Sequence, residues 1–286
     1  MTEIIETGVD VDAKNFSQKA SQLLATHTGL SQTKIKEAMQ KGAVWLLRGK
    51  GKKRLRRASK ALQIGDRLEL NYNKQIIEQK VPEPHLIQDL GDYSIWFKPY
   101  GLYCQGSRWG DCASIARWVE VNISKLTNGT QRSVFLVHRL DRATSGLILL
   151  CHSKTAARLF SEYFAAGKMD KYYQAIVHGD FCNYPQAYRV NEPVNGKVAI
   201  SEFSCVESKD GKSLLDVRLL TGRKHQIRQH LSGLGFAIIG DRLYGNEQNP
   251  ATDLQLQSVR LEFICPITQK QKNFTVKDSL RLKLDQ

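Results

Sequence analysis

The chain has 286 residues, enough for two domains or for one large domain with an appendage. Its 42 Lys and Arg against 28 Asp and Glu give a formal charge of +14, which suits a polyanionic partner such as nucleic acid, although basicity alone would also fit an anionic membrane surface. No apolar stretch approaches the roughly 18 residues of a membrane span, and Met1-Thr2-Glu3-Ile4-Ile5-Glu6 has no signal-peptide pattern, so a cytoplasmic protein without a membrane partner is expected. The six cysteines are scattered without a C-x-x-C pair, which excludes a zinc cluster or a disulfide framework as the expectation and leaves reduced, mostly buried thiols.

In chain order, Ser17 to Thr26 carries Ala20, Leu23 and Leu24 at helical spacing. Ser31 can cap a second helix that runs to Lys41 and that Gly42 ends, with Ile35, Ala38 and Met39 as its inner stripe. Ala43 to Leu47 reads as a strand, and so does Arg67 to Asn71, introduced by Gly65-Asp66. Between them Arg48 to Lys60 holds eight basic residues and no acid, a density that repels itself unless it meets phosphate. Helix, helix, strand, basic loop, strand is an order that resembles the S4-type RNA-binding domain. The resemblance makes Lys50, Lys52, Lys53, Arg54, Arg56 and Arg57 candidate RNA contacts, which would add salt-dependent affinity without sequence information. Residues 1–82 carry +8 and the remainder +6, so the shorter part is the more basic per residue. Val81-Pro82-Glu83-Pro84 reads as a linker, because two prolines oppose both helix and central strand. The expected division is 1–82, a small α/β domain with its core at about 16–73 plus linker, and 83–286.

Residues 83–286 mix strand and helix patterns without regular alternation. Tyr93 to Lys98, Lys171 to Val177, Ser213 to Leu220 and Val259 to Ile264 read as strands, and Ser114 to Val119, Lys154 to Phe164 and His225 to Leu234 as helices. An α+β domain with helices flanking a mixed, largely antiparallel sheet is the natural reading. Inside it, Phe135-Leu136-Val137 and Leu147 to Leu150 are short apolar runs, and the loop between them is His138-Arg139-Leu140-Asp141-Arg142-Ala143-Thr144-Ser145-Gly146. An aspartate between two arginines is expected to be ionised, and an ionised carboxylate can serve as nucleophile or base. For a generic Arg-x-Asp-Arg, a structural ion pair would be the better reading.

The full nonapeptide resembles the signature loop of the RluA-type RNA pseudouridine synthases. So do Lys98-Pro99-Tyr100-Gly101-Leu102, Lys171 to Gly179, Leu220 to His230 and Gly240-Asp241-Arg242-Leu243-Tyr244-Gly245, in the family's order. The resemblance implies the pseudouridine synthase fold, no cofactor, no metal, and an isomerisation of uridine in structured RNA, with ribosomal RNA favoured and transfer RNA the other candidate. A monomer is expected. The resemblance makes Asp141 the catalytic carboxylate, places Arg228 as its guanidinium partner and Tyr173 against the target uracil, and turns Arg139 toward the RNA stack. Arg142, Thr144, Lys171, Arg223, His225 and Gln226 join Arg139 as candidate substrate contacts, with Arg223 a rival to Arg228. Tyr172 would face the opposite side of its strand. His138 reads as a structural hydrogen-bonding group rather than a base, His225 and His230 are poorly spaced for a metal, and Asp241 reads as a turn-forming carboxylate rather than a second acid. Two other classes compete: a noncatalytic RNA-binding or ribosome-assembly protein of the same fold, against which the Asp141, Tyr173 and Arg228 set argues, and a glycoside hydrolase, which would need two cooperating carboxylates.

Overall fold

The computed structural model describes residues 3–245 and 252–284. They form two compact units, residues 1–81 with 105–118, and residues 82–104 with 119–286.

The first unit is a four-stranded antiparallel sheet against two helices. Its elements in order are β1 (Ile4–Asp10), α1 (Ala20–Thr28), α2 (Gln32–Gln40), β2 (Val44–Arg48), β3 (Gly51–Arg54), β4 (Arg67–Asn73) and the short α3 (Lys74–Glu78). The sheet order is β1-β4-β2-β3. As expected, the Ser31 hydroxyl accepts from the Lys34 N–H and starts α2, and Ile35, Ala38 and Met39 are fully buried with Leu24, Leu46, Leu68 and Leu70.

Three features depart from the sequence reading. β1 pairs with β4 along its whole length, from Ile4 opposite Asn73 to Asp10 opposite Arg67. The basic segment is not one loop: Arg48 pairs with Gly51 across a two-residue turn, and Gly51–Arg54 continues as β3 on β2. Residues 105–118, expected with the second part, pack with the first. Asp111 explains why: its backbone N–H bonds Lys41 O at 3.0 Å, and its carboxylate takes Arg54 Nε at 3.2 Å and Arg56 Nη2 at 2.5 Å. Arg54 and Arg56, candidate RNA contacts in the sequence, are turned toward this carboxylate. Lys50, Lys52, Lys53 and Arg57 remain exposed, Lys52 with Glu69 at 2.6 Å.

The chain continues through β5 (His85–Asp89), β6 (Tyr93–Lys98), α4 (Ile115–Leu126), β7 (Phe135–Leu136), β8 (Ser145–Cys151), α5 (Lys154–Ala165), β9 (Asp170–His178), β10 (Tyr188–Val190), β11 (Ser201–Lys209), β12 (Lys212–Leu219), α6 (Gln226–Gly233), β13 (Leu256–Ile264) and β14 (Gln271–Thr275). The second unit's sheet runs β10-β11-β12-β9-β13-β8-β6-β5, with β14 on β13 and β7 on β8. Every pairing is antiparallel except β13 with β8, so the sheet is mixed and largely antiparallel, as expected. Phe160 of α5 packs on Tyr93 of β6 and Phe263 of β13, ring centroids 4.8 and 5.7 Å away, at the centre of the apolar core.

The parallel junction is narrow. Gly146 has φ +108°, and a Cβ there would lie 2.1 Å from Ser258 O. Glycine is what lets β8 leave the Asp141 loop and lie directly against β13. One expectation about cysteine fails: Cys182 and Cys205 form a disulfide, because the 3₁₀ turn Phe181–Asn183 folds back against β11 and brings their Cα atoms to 5.1 Å. Cys104, Cys151 and Cys265 are buried thiols, and Cys112 is half-buried. No helix of the described residues is long and apolar enough to cross a membrane.

Candidate active site

Asp141 lies on the loop between β7 and β8, and the turn after β6 fixes that loop on both sides of it. Before Asp141, the buried Cys104 Sγ takes the Leu140 N–H at 3.2 Å and faces Leu140 O at 3.1 Å. After it, Arg142 O accepts from Gly101 N at 2.9 Å, and Arg142 Nε donates to Gly101 O at 3.2 Å. Beneath both runs the buried Lys98 Nζ, which donates to Leu102 O, Pro99 O and Arg142 O at 2.9, 3.1 and 3.4 Å. Burial pulls the Lys98 ammonium down to about 8, against the opposing pull of Cys104 and Asp141. A Thr144 N–H to Asp141 O bond of 3.1 Å closes the turn, leaving the Asp141 side chain 31% exposed at its tip.

The basic side chains beside this carboxylate do not come from its own loop. Arg139 and Arg142 are exposed, and the Arg142 guanidinium lies 5.1 Å over the Tyr103 ring. Two basic side chains approach Asp141 Oδ2 within 4 Å, His225 through Nε2 at 3.6 Å and Arg228 through Nη1 at 3.9 Å. Both stand at the start of α6. Arg228 is the nearer arginine of the two rivals, since Arg223 is exposed and donates from Nε to Val198 O at 2.9 Å.

Arg228 is not, however, a dedicated partner of Asp141. Its bidentate pair is with Asp241, Nε to Oδ2 at 2.8 Å and Nη2 to Oδ1 at 2.6 Å, both side chains almost fully buried. Asp241 also accepts from Leu243 N and Tyr244 N at 2.9 and 3.1 Å, so it is the turn former that the sequence indicated and a salt-bridge partner besides. Burial pushes the Asp241 carboxyl up, and the Arg228 pair with the two backbone donors outweighs it, leaving it below the usual range. Burial likewise opposes the charge on Arg228, and Asp241 and Asp141 together raise it. The residue before Asp241, Gly240, has φ +77° and a Cβ position 2.3 Å from Asp253 O, so the turn carrying Asp241 passes directly against the Asp253 backbone.

Tyr173 is buried on β9 opposite Ser258 of β13, and burial, with the charge of Asp141, raises its phenol far above the ordinary value. Tyr172 does face away, beneath Arg260 at 3.7 Å. Burial lowers Lys171. His138 is structural, as the sequence reading held: Nε2 accepts from Leu149 N at 2.9 Å, and the ring stacks on Phe164 at 4.5 Å.

Two residues read as substrate contacts face inward instead. Thr144 is 3% exposed. Gln226 is 2% exposed and spends its amide on Thr221 Oγ1, Arg223 N, Ile200 O and Ser201 Oγ at 2.8 to 3.0 Å, which ties the start of α6 to β11. Conversely, the sequence reading assigned no role to Lys98, Cys104 or Tyr244. Lys98 and Tyr244 lie in segments that carry the family resemblance, which was a signal for both; the Cys104 thiol clamp left none. Among the described residues no cluster of His, Cys, Asp or Glu is arranged to hold a metal ion. A half-exposed carboxylate with an imidazole, a guanidinium and a buried phenol around it is equipped for nucleophilic or proton-transfer chemistry on a bound base or sugar.

Comparison with known proteins agrees. Residues 92–233 match the family model for RNA pseudouridylate synthases. An uncharacterised RNA pseudouridine synthase of Mycoplasma pneumoniae is 27% identical over 94% of this chain and 94% of its own length. The ribosomal large subunit pseudouridine synthase D of Zymomonas mobilis is 32% identical over 49% of this chain and 51% of its own. In fold, human RNA pseudouridylate synthase domain containing 4 superposes with a TM-score of 0.56 at 22% identity, over 68% of this chain and 88% of that one. Matched through the Asp141 loop, the Tyr173 strand and the start of α6, the chain belongs to the RNA pseudouridine synthase family, whose members isomerise uridine in RNA.

Proposed function

We propose that the protein is an RluA-type RNA pseudouridine synthase that modifies structured RNA, ribosomal RNA before transfer RNA, with Asp141 as its catalytic carboxylate. The observation that carries this reading is the convergence on Asp141 of His225, Arg228 and Tyr173 from distant segments.

Pseudouridine formation breaks the bond from ribose C1′ to uracil N1, turns the base and joins C1′ to C5, after which the C5 proton leaves. In this reading Asp141 attacks C1′, attacks the uracil ring or removes the sugar 2′ proton. Tyr173 offers a ring to hold the loosened base, and its raised phenol keeps the proton on oxygen, as a donor. The target uridine must leave its stack, at a cost of a few kcal/mol, and the exposed Arg139 guanidinium can fill the gap. The first unit, with two helices packed on a small sheet and Lys50, Lys52, Lys53 and Arg57 exposed, is read as an S4-like RNA-binding domain.

Incubation with cellular RNA tritiated at uracil C5 should release tritium to water, and Asp141→Asn should reduce release by at least ~10³-fold, in line with loss of a nucleophile or base. Release that survives in a homogeneous Asp141→Asn preparation removes Asp141 from this role.

A further inference from the structure

His225 has a backbone that costs energy to hold. It sits in the left-handed region at φ +58°, directly before α6, where a non-glycine residue is disfavoured by about 1–2 kcal/mol. Strain of this kind persists where surrounding contacts fix it, and both ring nitrogens of His225 meet a partner. Nδ1 lies 2.9 Å from the Tyr244 hydroxyl and Nε2 lies 3.6 Å from Asp141 Oδ2. Arg228, whose strong bonds go to Asp241, is farther from Asp141.

Tyr244 is itself held from three directions. Its N–H bonds Asp241 Oδ1, its carbonyl accepts from Ser232 Oγ at 2.6 Å, and its ring lies 5.1 Å from the Arg228 guanidinium. The Asp241–Arg228 pair thus sets the place of the phenol, and the phenol sets the imidazole.

We infer that Tyr244 and His225 form a positioning relay for Asp141: the Tyr244 hydroxyl donates to Nδ1, which keeps the ring proton on Nε2 and aims it at Asp141 Oδ2. At 3.6 Å this N–H lies beyond hydrogen-bond distance and acts on Asp141 Oδ2 as a fixed electrostatic partner. The logic is that of an orienting group behind a histidine, with the tautomer selected by the bond made at the far nitrogen. Burial favours the neutral ring. The charged groups that face it are Asp141, which favours the imidazolium, Arg228 and Lys224, which oppose it, and Asp241, which favours it.

The inference rests on the proposed role of Asp141, and two readouts separate the two. In ¹⁵N spectra of the full-length protein, the wild-type His225 ring should show the Nε2–H tautomer, Tyr244→Phe should move it toward a mixture, and Asp141→Asn should lower its titration midpoint. None of these depends on turnover. With cellular RNA tritiated at C5, Tyr244→Phe, which keeps the ring over Arg228, should lower kcat about tenfold and leave apparent KM within about twofold. His225→Gln, which can present an amide N–H near the Nε2 position, should retain more activity than His225→Ala. The double variant His225→Ala/Tyr244→Phe should be no slower than His225→Ala alone. A tautomer unchanged by Tyr244→Phe, full kcat in that variant, or additive losses in the double variant would overturn the relay. A wild-type protein that releases no tritium but shows the expected tautomer response would overturn the reading of Asp141 and leave the relay standing.

Discussion

His138 stands three residues before Asp141, and its partly buried ring stacks on Phe164 and accepts from the Leu149 N–H. Burial, helped by the nearby Lys171 charge, pushes the imidazole down to about 3. The unfolded chain would take up a proton near pH 6.5, and the folded one resists until about pH 3. Stability should therefore be full above pH 6.5 and fall as pH drops toward 3, by up to ~5 kcal/mol from this group. Urea denaturation of wild type against His138→Gln at pH 7 and pH 4 checks this: the gap between them should narrow as pH falls, and a constant gap refutes it. Lys98 has the same sign of shift at the other end of the scale. Folded, it titrates at about 8, and unfolded near 10.4, so between those values the unfolded chain holds more protons. Relative to Lys98→Met, wild type should gain up to ~3 kcal/mol between pH 7.5 and 10.5, and a difference that does not change with pH would place Lys98 in water. The structural role of His138 was legible in the sequence because a histidine beside apolar runs needs a partner for its buried nitrogen. The loss of Arg228 to Asp241 was not, since two carboxylates separated by a hundred residues compete for one guanidinium only once the sheet has folded.

At the level of elements, the close contact of β8 with β13 decides where the Asp141 loop begins. Gly146→Ala would force a Cβ into the Ser258 backbone at 2.1 Å, so the strands must separate. Gly167 has a comparable positive φ of +68° but nothing within 4 Å of a Cβ. Gly167→Ala should cost about 1–2 kcal/mol, the conformational term alone, whereas Gly146→Ala should cost at least ~3 kcal/mol and disturb catalysis as well. Thermal unfolding of the two variants side by side tests this, and equal losses would show that the β8–β13 approach is not tight. The strands that flank this junction were readable in outline because they are apolar runs of strand length. β1 and β3 were not. β1 is an edge strand with no buried residue, and β3 reads Gly-Lys-Lys-Arg; backbone pairing and a two-residue turn make them strands, and neither leaves an apolar pattern. α4 runs beyond the expected Val119, to Leu126, for the opposite reason. Val119, Val121 and Ile123 alternate as a strand would, yet Ile115, Val119 and Ile123 fall on one buried helical face.

Across the whole molecule, a charge of +14 suits a polyanionic partner, but it does not say which cations meet that partner. The sequence treated the basic segment as uniform. Folding divides it, because residues 105–118 return to the first unit and bring a carboxylate with them, a long-range event that no local pattern announces. Arg54 and Arg56, with side chains 17% and 25% exposed, converge on Asp111, while Lys50, Lys53 and Arg57 stay in water. The two sets should separate in experiment. Replacing Lys50, Lys53 and Arg57 together by glutamine should leave thermal stability within about 0.5 kcal/mol of wild type, as for surface substitutions elsewhere. The same triple change should weaken binding of cellular RNA and lower the slope of log affinity against log salt by about 2–3, if each cation neutralises one phosphate. Asp111→Asn should do the reverse, costing ~1–3 kcal/mol in stability by leaving two half-buried guanidinium groups without their carboxylate, and changing the salt slope little. Filter binding across a salt series and thermal unfolding, run on both variants, give four numbers. A triple variant that unfolds early with an unchanged salt slope would place those three cations in the fold, and the RNA-facing charge would then have to lie on another surface of the chain.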